Sequence, residues 1–275
     1  MCLTCGCGKI DEILISKPKK VSKSNLIFDK KNQSGPVITK LNDKDHTHTN
    51  KKNEKIIDLE QDILYHNNNL AEENRQYFKS KNIFSINMVS SPGSGKTSMI
   101  ETTIKDIKDD IPIEIIEGDQ QTFNDANRIE ALHIPVVQIN TGKGCHLDSQ
   151  MIKNALKTLN PAEFSLLIIE NVGNLVCPAL FDLGENKRVV IISVTEGDDK
   201  PIKYPDMFIS AQICIINKVD LLPYVKFDVA KAKEYARKVN PELIFFEVSA
   251  TKGTGMENWY QWLKNEIKLI NLSST

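Results

Sequence analysis

The sequence predicts an α/β domain built on a doubly wound, mostly parallel sheet. From residue 83 onward, short runs rich in Ile and Val alternate with helical patterns. The runs are apolar at consecutive positions, as strands buried on both faces are. The loops that follow several of them carry Gly, Lys, Asp, Asn or Cys, at the strand ends where such sheets place their ligands.

The elements follow in order. From Lys55, the stretch IIDLEQDILYHNNNLAEENRQYF sets Ile56, Leu59, Ile63, Leu70 and Tyr77 at spacings of three, four and seven, which predicts an amphipathic helix leaning on the domain behind it. The strand IFSINMVS (83–90) precedes a helix from Lys96. IPIEIIEG (111–118), a helix at about 123–132, PVVQIN (135–140) and a helix at about 148–158 come next. SLLIIEN (165–171), VVIISVT (189–195), QICIINK (212–218), a helix at about 228–238, ELIFFEVS (242–249) and a helix from about Gly255 complete the series. No internal repeat is visible.

At 275 residues and 40% apolar composition, the chain can bury one sizeable core but not two full α/β domains. No run reaches the roughly 18 to 20 apolar residues of a membrane-spanning helix, and MCLTCGCGK lacks the apolar core of a secretory signal. A cytoplasmic protein with no membrane partner is expected. The net charge of −1 hides an asymmetry. Residues 8–54 hold 11 Lys against 6 acidic residues, net +5, while residues 55–275 hold 24 basic against 30 acidic, net −6. The acidic folded part carries no nucleic-acid signature. Only 11 of the 47 residues in 8–54 are apolar, too few to offset the entropy of ordering, so this stretch reads as a flexible linker. The expected organisation is a metal-binding tail at 1–7, disordered and tethered by the linker 8–54, and a nucleotide-binding domain at 55–275 with its leading helix.

The segment SSPGSGKTS (90–98) fits GxxxxGK[ST] with Ser90 in place of the first glycine, and it sits between a strand and a helix as that motif requires. A turn holding Ser91, Gly93, Ser94, Gly95 and Ser98 exposes backbone N–H groups to phosphate oxygens, and the helix start adds positive potential. Lys96 would reach the β- and γ-phosphates and the Thr97 hydroxyl would ligate Mg²⁺. The base is indicated by NKVD (217–220): the Asp220 carboxylate can accept from guanine N1–H and N2–H₂, a pair that adenine does not offer. Asn217 would brace the loops and the Lys218 stem would lie against the base. VSATKG (248–253), with Ser249, Ala250 and Thr251, supplies a backbone N–H near Ala250 for guanine O6. GTP is therefore the expected nucleotide. Asp119, after the second strand, and Glu170, after LLII, are the candidate carboxylates for Mg²⁺ and the attacking water; each alone could be an ordinary loop acid. Lys96, Asp119 and Glu170 form the expected catalytic set. No glutamine or arginine stands out as an intrinsic catalyst, although Gln120 and Gln121 lie close by, so slow hydrolysis is expected.

In a reducing compartment the six cysteines read as metal ligands or core residues rather than disulfides. Cys2, Cys5 and Cys7 form CxxCxC beside the α-amino group, three soft thiolates that can wrap Ni²⁺ or Zn²⁺. Cys145–His146 in NTGKGCHLD, with Cys177 in ENVGNLVCPA, form a second candidate site. It needs an irregular loop, and water or a second subunit to complete its sphere. Cys177 lies seven residues after Glu170, on the segment that would respond to the γ-phosphate. Cys214 in QICIINK reads as a core residue, His46 and His48 as linker, and His66 and His133 as helix or loop residues.

Taken together, MCLTCGCGK, SSPGSGKT, EGDQQTFNDA, TGKGCHLD, ENVGNLVCPA, NKVD and SATKG resemble the hydrogenase nickel-incorporation GTPases, the HypB family. The resemblance covers residues 1–7 and about 55–275. It implies a SIMIBI-like P-loop GTPase, a tight nickel site at Cys2, Cys5 and Cys7, and a weaker Ni²⁺/Zn²⁺ site at Cys145, His146 and Cys177. It further implies a GTP- and metal-dependent homodimer with the second metal site at or near its interface. Delivery of nickel into the large-subunit precursor of a [NiFe]-hydrogenase, sometimes with urease maturation, and a small zinc-containing nickel chaperone as partner are also implied. Several members carry a His-rich storage tract in the linker; here only HTHT (46–49) stands there. Two other readings compete: a nickel or zinc buffer protein with a vestigial nucleotide site, and a P-loop kinase for a small molecule, against which NKVD argues.

Overall fold

Each apolar run of the sequence becomes a strand of one sheet, because a strand covered on both faces loses no packing surface to water. The computed structural model describes residues 14–16, 50–119 and 128–272, and of 14–16 and 50–60 the backbone alone. The tail cysteines Cys2, Cys5 and Cys7, most of the stretch 8–54, Gln120, Gln121 and most of the helix expected at 123–132 lie outside the described residues.

In chain order the described elements are β1 (Leu14–Ser16), α1 (Asn50–Ser80), β2 (Phe84–Ser90), α2 (Lys96–Ile107), β3 (Ile113–Asp119), β4 (Val136–Asn140) and α3 (Ser149–Leu159). After these come β5 (Leu166–Glu170), β6 (Lys187–Ser193), β7 (Ile213–Asn217), α4 (Val229–Val239), β8 (Ile244–Glu247) and α5 (Met256–Leu272). Short helices at Lys200–Lys203 and Pro205–Ser210 fill the β6–β7 crossover. The sheet order is β1-β4-β3-β5-β2-β6-β7-β8. The seven strands from β2 to β8 are mutually parallel, and β1 alone runs antiparallel, against β4.

β1 corrects one expectation: it lies inside the stretch expected as linker. Leu14, Ile15 and Ser16 pair with Asn140, Ile139 and Gln138, occupying the backbone groups that an edge strand would otherwise leave open. The leading helix also starts earlier than expected, at Asn50. The chain divides into Met1–Pro18 with Leu64–Thr275, which holds the sheet, and Lys19–Ile63, whose described residues 50–63 are helical.

Alternation along the strands sorts the core. Phe84, Ile86 and Met88 of β2 and Ile168 of β5 face α2 and α5, where Met99, Ile104, Trp259 and Leu263 are buried. Leu167 and Ile169 of β5 face the other way, with Phe78 of α1 and Ile152 and Leu156 of α3. Beyond β6, Val190, Ile192 and Cys214 pack with Met207 and Phe208 of the crossover and Ala236 of α4. Burial pushes the Cys214 thiol up to about 12, in keeping with a core residue.

The buried stripe of α1 differs from the one its apolar residues predict. It runs through Asn67, Leu70, Ala71, Asn74 and Phe78, while Ile63 stays exposed. The two asparagines win those places because their amides are bonded to backbone carbonyls of the domain, described below.

Trp259 is the largest fully buried side chain. It stacks on Trp262 with ring centroids 5.3 Å apart, meets Phe246 edge-on at 5.6 Å, and donates Nε1–H to Thr103 Oγ1 at 3.1 Å. Trp259→Ala should therefore cost roughly 3 to 5 kcal/mol, read as a lowered midpoint in urea unfolding with the slope unchanged.

Candidate functional site

The turn between β2 and α2 is shaped by two glycines in left-handed conformations, Gly93 at φ +77° and Gly95 at φ +96°. Gly95 caps α2, and a Cβ placed on it would stand 2.5 Å from Asn217 Nδ2. That approach is built in: Asn217 Nδ2 donates to Ser94 O at 2.9 Å. Ser90, the departure from the glycine pattern, accepts from Lys96 Nζ at 3.1 Å and donates to Ser91 O at 2.7 Å. The serine hydroxyl thus anchors the lysine at the floor of the turn.

On the base side, Asn217 ends β7 and its Oδ1 accepts from Lys218 N at 2.7 Å and Ala250 N at 3.2 Å. Lys218, at φ +63°, turns its stem back so that Nζ donates to Gly93 O at 2.7 Å. Asp220 lies two residues on, in the 3₁₀ turn Val219–Tyr224, partly exposed. Ser249 is buried, Thr251 is exposed, and Thr102 of α2 donates to Ala250 O at 3.0 Å. The Ala250 N–H expected at guanine O6 is thus engaged by Asn217.

The two carboxylates arrive from neighbouring strands. Glu170 ends β5 beside Met88 of β2, and the Thr97 hydroxyl donates to its Oε1 at 2.8 Å in a buried position. Asp119 ends β3. Together with Lys96, Thr97, Ser98, Glu170, Gly173 and Lys218 it lines a cleft of about 620 Å³ above the carboxyl ends of β2, β3 and β5. Arg128 and Cys145 line the same cleft, and Arg128 pairs with Glu101 at 2.8 Å.

Cys145, His146 and Cys177, separated by 32 residues of sequence, come together with their ligand atoms all within 4.8 Å of one another. All three side chains are partly exposed, which leaves a metal ion a way in. Cys145 Sγ lies 3.7 Å from His146 Nδ1. The His146 ring stacks on Phe181, centroids 3.9 Å apart, and burial lowers its pKa against a smaller opposing effect of Asp148, which favours the neutral imidazole that metals need. Cys177 opens a short 3₁₀ turn, Cys177–Ala179. His66 and His133 are exposed and stand outside this group, as the sequence suggests.

The strand β5 ties cleft and cysteines together. Immediately after Glu170, Asn171 Oδ1 accepts from Leu147 N at 3.3 Å. Gly173 rests on Pro92 of the β2–α2 turn, with room for a Cβ only 3.2 Å from the proline ring. Asn174 Nδ2 donates to Cys145 O at 3.3 Å and its Oδ1 accepts from Val176 N at 2.9 Å. From the outer side, α1 stitches the two metal-side loops: Asn67 joins Ser149 N to Asp182 O, and Asn74 Nδ2 donates to both Ser149 O and Leu183 O.

Residues 85–247 match the family model "CobW/HypB/UreG, nucleotide-binding domain". The chain is 53% identical over 212 residues to the hydrogenase maturation factor HypB of Escherichia coli K12, covering 77% of this chain and 73% of that one. Its fold matches the crystal structure of the hydrogenase maturation factor HypB from Archaeoglobus fulgidus with TM-score 0.70 and 42% identity, over 74% of this chain and 99% of that one.

The chain belongs to the HypB family.

A second HypB structure, from Helicobacter pylori in complex with nickel, matches with TM-score 0.69 and 39% identity over 74% of this chain and 95% of that one. The HypB fold agrees with the doubly wound P-loop architecture expected from the sequence. Sequence reasoning did not single out Asn171 and Asn174, nor the group beside the turn made by Glu196 and Lys200. There Ser94 Oγ lies 2.6 Å from Glu196 Oε1, Lys200 pairs with Glu196 at 3.0 Å, and Lys200 Nζ donates to Ser91 Oγ at 3.0 Å. The charged run EGDDK (196–200) following a strand end was the available signal.

Gly95 gives the sharpest test of the turn. Gly95→Ala must either displace Asn217 or open the turn, and an L-residue at φ +96° is strained besides. The variant is expected to bind GTP at least about tenfold more weakly by isothermal titration, equivalent to roughly 1.4 kcal/mol, while its far-UV circular dichroism stays that of the parent.

Proposed function

We propose that this chain is a GTP-hydrolysing nickel metallochaperone that delivers Ni²⁺ during maturation of [NiFe]-hydrogenase, with GTP state coupled to dimerisation and metal release. One observation carries the reading: a single stretch, Glu170 to Cys177, holds the carboxylate bonded to Thr97 at one end and a thiol of the metal trio at the other. A change at Glu170 thus arises seven residues from that sulfur.

The residues present fit the groups the reading requires. The glycine turn leaves open space at Gly93, where a phosphate could approach the backbone, and Thr97 beside Glu170, with Asp119 across the cleft, offers the hard oxygen donors that Mg²⁺ takes. Mg²⁺, when bound, would neutralise charge on the phosphates. Lys96 would leave Ser90 for the β- and γ-phosphates. Asp119 and Glu170 would orient the attacking water, Asp220 would read the guanine edge, and Ala250 N–H would pass from Asn217 to guanine O6. Ser91, Ser98, Ser249 and Thr251 would line the nucleotide. With Arg128 already paired to Glu101, hydrolysis by the isolated chain should be slow.

Nickel is the cargo of this chemistry. Cys145, His146 and Cys177 would hold Ni²⁺ or Zn²⁺ with water or a second subunit completing the sphere, and Cys2, Cys5 and Cys7 would form the tighter nickel site. The partners are a second copy of the chain, a small zinc-containing nickel chaperone and the hydrogenase large-subunit precursor. The setting is the cytoplasm; among the described residues no helix is long and apolar enough to cross a membrane.

The deciding measurement is nickel release to a chelator, with oligomeric state by light scattering, for protein loaded with GDP or a non-hydrolysable GTP analogue. Different release rates and different assembly are expected. Identical values in the two states would remove the coupling. Lys96→Ala should abolish hydrogenase maturation in cells; intact maturation would favour a metal buffer whose nucleotide site is vestigial.

A further inference from the structure

Beneath the cleft and the metal trio lies an unbroken chain of buried polar side chains that neither site uses. Asn87 stands fully buried in β2, in a strand covered on both faces, where an amide without partners would be costly. Its Oδ1 accepts from Asn171 Nδ2 at 3.2 Å, and its Nδ2 donates to Glu185 Oε1 at 3.1 Å. Glu185 in turn pairs with Arg188, whose Nε donates to the same Oε1 at 2.9 Å; both side chains are about nineteen-twentieths buried.

Both ends of the chain reach the metal side. At one end, Asn171 holds Leu147 N, next to His146. At the other, the guanidinium of Arg188 spreads over Ala179 O at 3.1 Å, Phe181 O at 2.7 Å and Ser210 Oγ at 2.9 Å. Ala179 closes the turn opened by Cys177, and Phe181, two residues further on, is the ring on which His146 stacks. Asn171, the end of the chain nearer the cleft, is peptide-bonded to Glu170. A displacement at Glu170 therefore has two exits, a short one through Asn171 to the loop of Cys145 and His146, and a longer one through Asn87, Glu185 and Arg188 to the loop of Cys177.

We propose that Asn87 and Arg188 are positioning residues that set the separation of the two metal-bearing loops according to the state of the Glu170 segment, so that nickel affinity follows the nucleotide. The reason lies in stiffness. Between Asn171 and Cys177 the backbone is irregular, contains Gly173, and has Val176 exposed, so it bends. Close-packed interior side chains joined by fixed amide and guanidinium forks shift as a set. This inference rests on the coupling stated under Proposed function.

The test uses full-length chain carrying Cys2, Cys5 and Cys7→Ala, so that only the trio reports. Nickel affinity is measured by chelator competition with GDP and with a non-hydrolysable GTP analogue, and the quantity read is the ratio of the two. The parent should show a ratio of about fivefold or more, and Asn87→Ala should bring it within about twofold of unity, with affinity for the GTP analogue changed less than about threefold. Arg188→Lys keeps the charge against Glu185 but loses the fork that spans two carbonyls, and should lower the ratio likewise. Should Asn87→Ala fail to fold, Asn87→Ser and Arg188→Lys read the same ratio. A full ratio retained in these variants, even with both affinities weakened together, makes the chain merely structural and overturns the proposal. A ratio of unity already in the parent overturns the coupling itself, and this inference with it.

Discussion

The contact on which the molecule's working parts depend is the hydrogen bond from the Thr97 hydroxyl to the Glu170 carboxylate. It exists because β2 and β5 are adjacent and in register, Met88 opposite Glu170, so that the end of one strand faces the first turn of the helix that follows the other. A carboxylate this deeply buried is expensive to desolvate, and the Thr97 hydroxyl offsets part of that cost. A buried carboxylate in the cleft wall favours positive charge there. Under the proposed function, a bound cation would lower the energy of the site and also draw Glu170, and with it the start of the following segment, toward the phosphates.

What receives that pull is held largely by amides. Asn67, Asn74, Asn171 and Asn174 each join backbone groups from different segments of the metal-side loops. Asn67 and Asn174 use both oxygen and nitrogen to do so, which Asp, Leu or Ser in those places could not reproduce. Amides do not titrate, so these bonds carry no pH dependence of their own. Two ion pairs add to this framework among the described residues: Arg75 of α1 with Asp182 at 2.8 Å, partly exposed, and Glu185 with Arg188, almost wholly buried, which costs roughly 3 to 5 kcal/mol to break by removing one partner. The framework is firm where it supports the loops from within, and open where the cysteines meet solvent.

Much of this was legible in the sequence, and the boundary of legibility is physical. Consecutive apolar residues announce strands buried on both faces, and all seven parallel strands fall within two residues of where the runs predict. The phosphate turn, NKVD and the trio were legible because local chemistry demands those residue types together. The polar residues that act at a distance were harder to read. Asn67 and Asn74 look like the solvent face of α1, yet they occupy its buried stripe because their partners, Ser149, Asp182 and Leu183, lie far away in sequence. Asn87 in IFSINMVS did carry a signal, since an amide inside a strand otherwise apolar on both faces must find partners. β1 escaped notice because three residues are too few to show a period, and only the open edge of β4 makes them a strand.

The half-finished character of the metal trio also follows from its construction. Two sulfurs and one imidazole gathered within 4.8 Å supply three ligands, on loops that are partly exposed, one sulfur in the wall of the nucleotide cleft and the other on a separate turn. A structural zinc site closes four protein ligands around the ion and keeps it. A carrier needs the opposite: enough donors to capture the ion, a vacancy through which an acceptor can add its own ligand before the last one leaves, and a lever on the separation of the donors. Under the proposed function, the network running from Glu170 supplies the lever, the partial exposure supplies the approach, and water or a second subunit would complete a sphere to which the described residues bring three ligands.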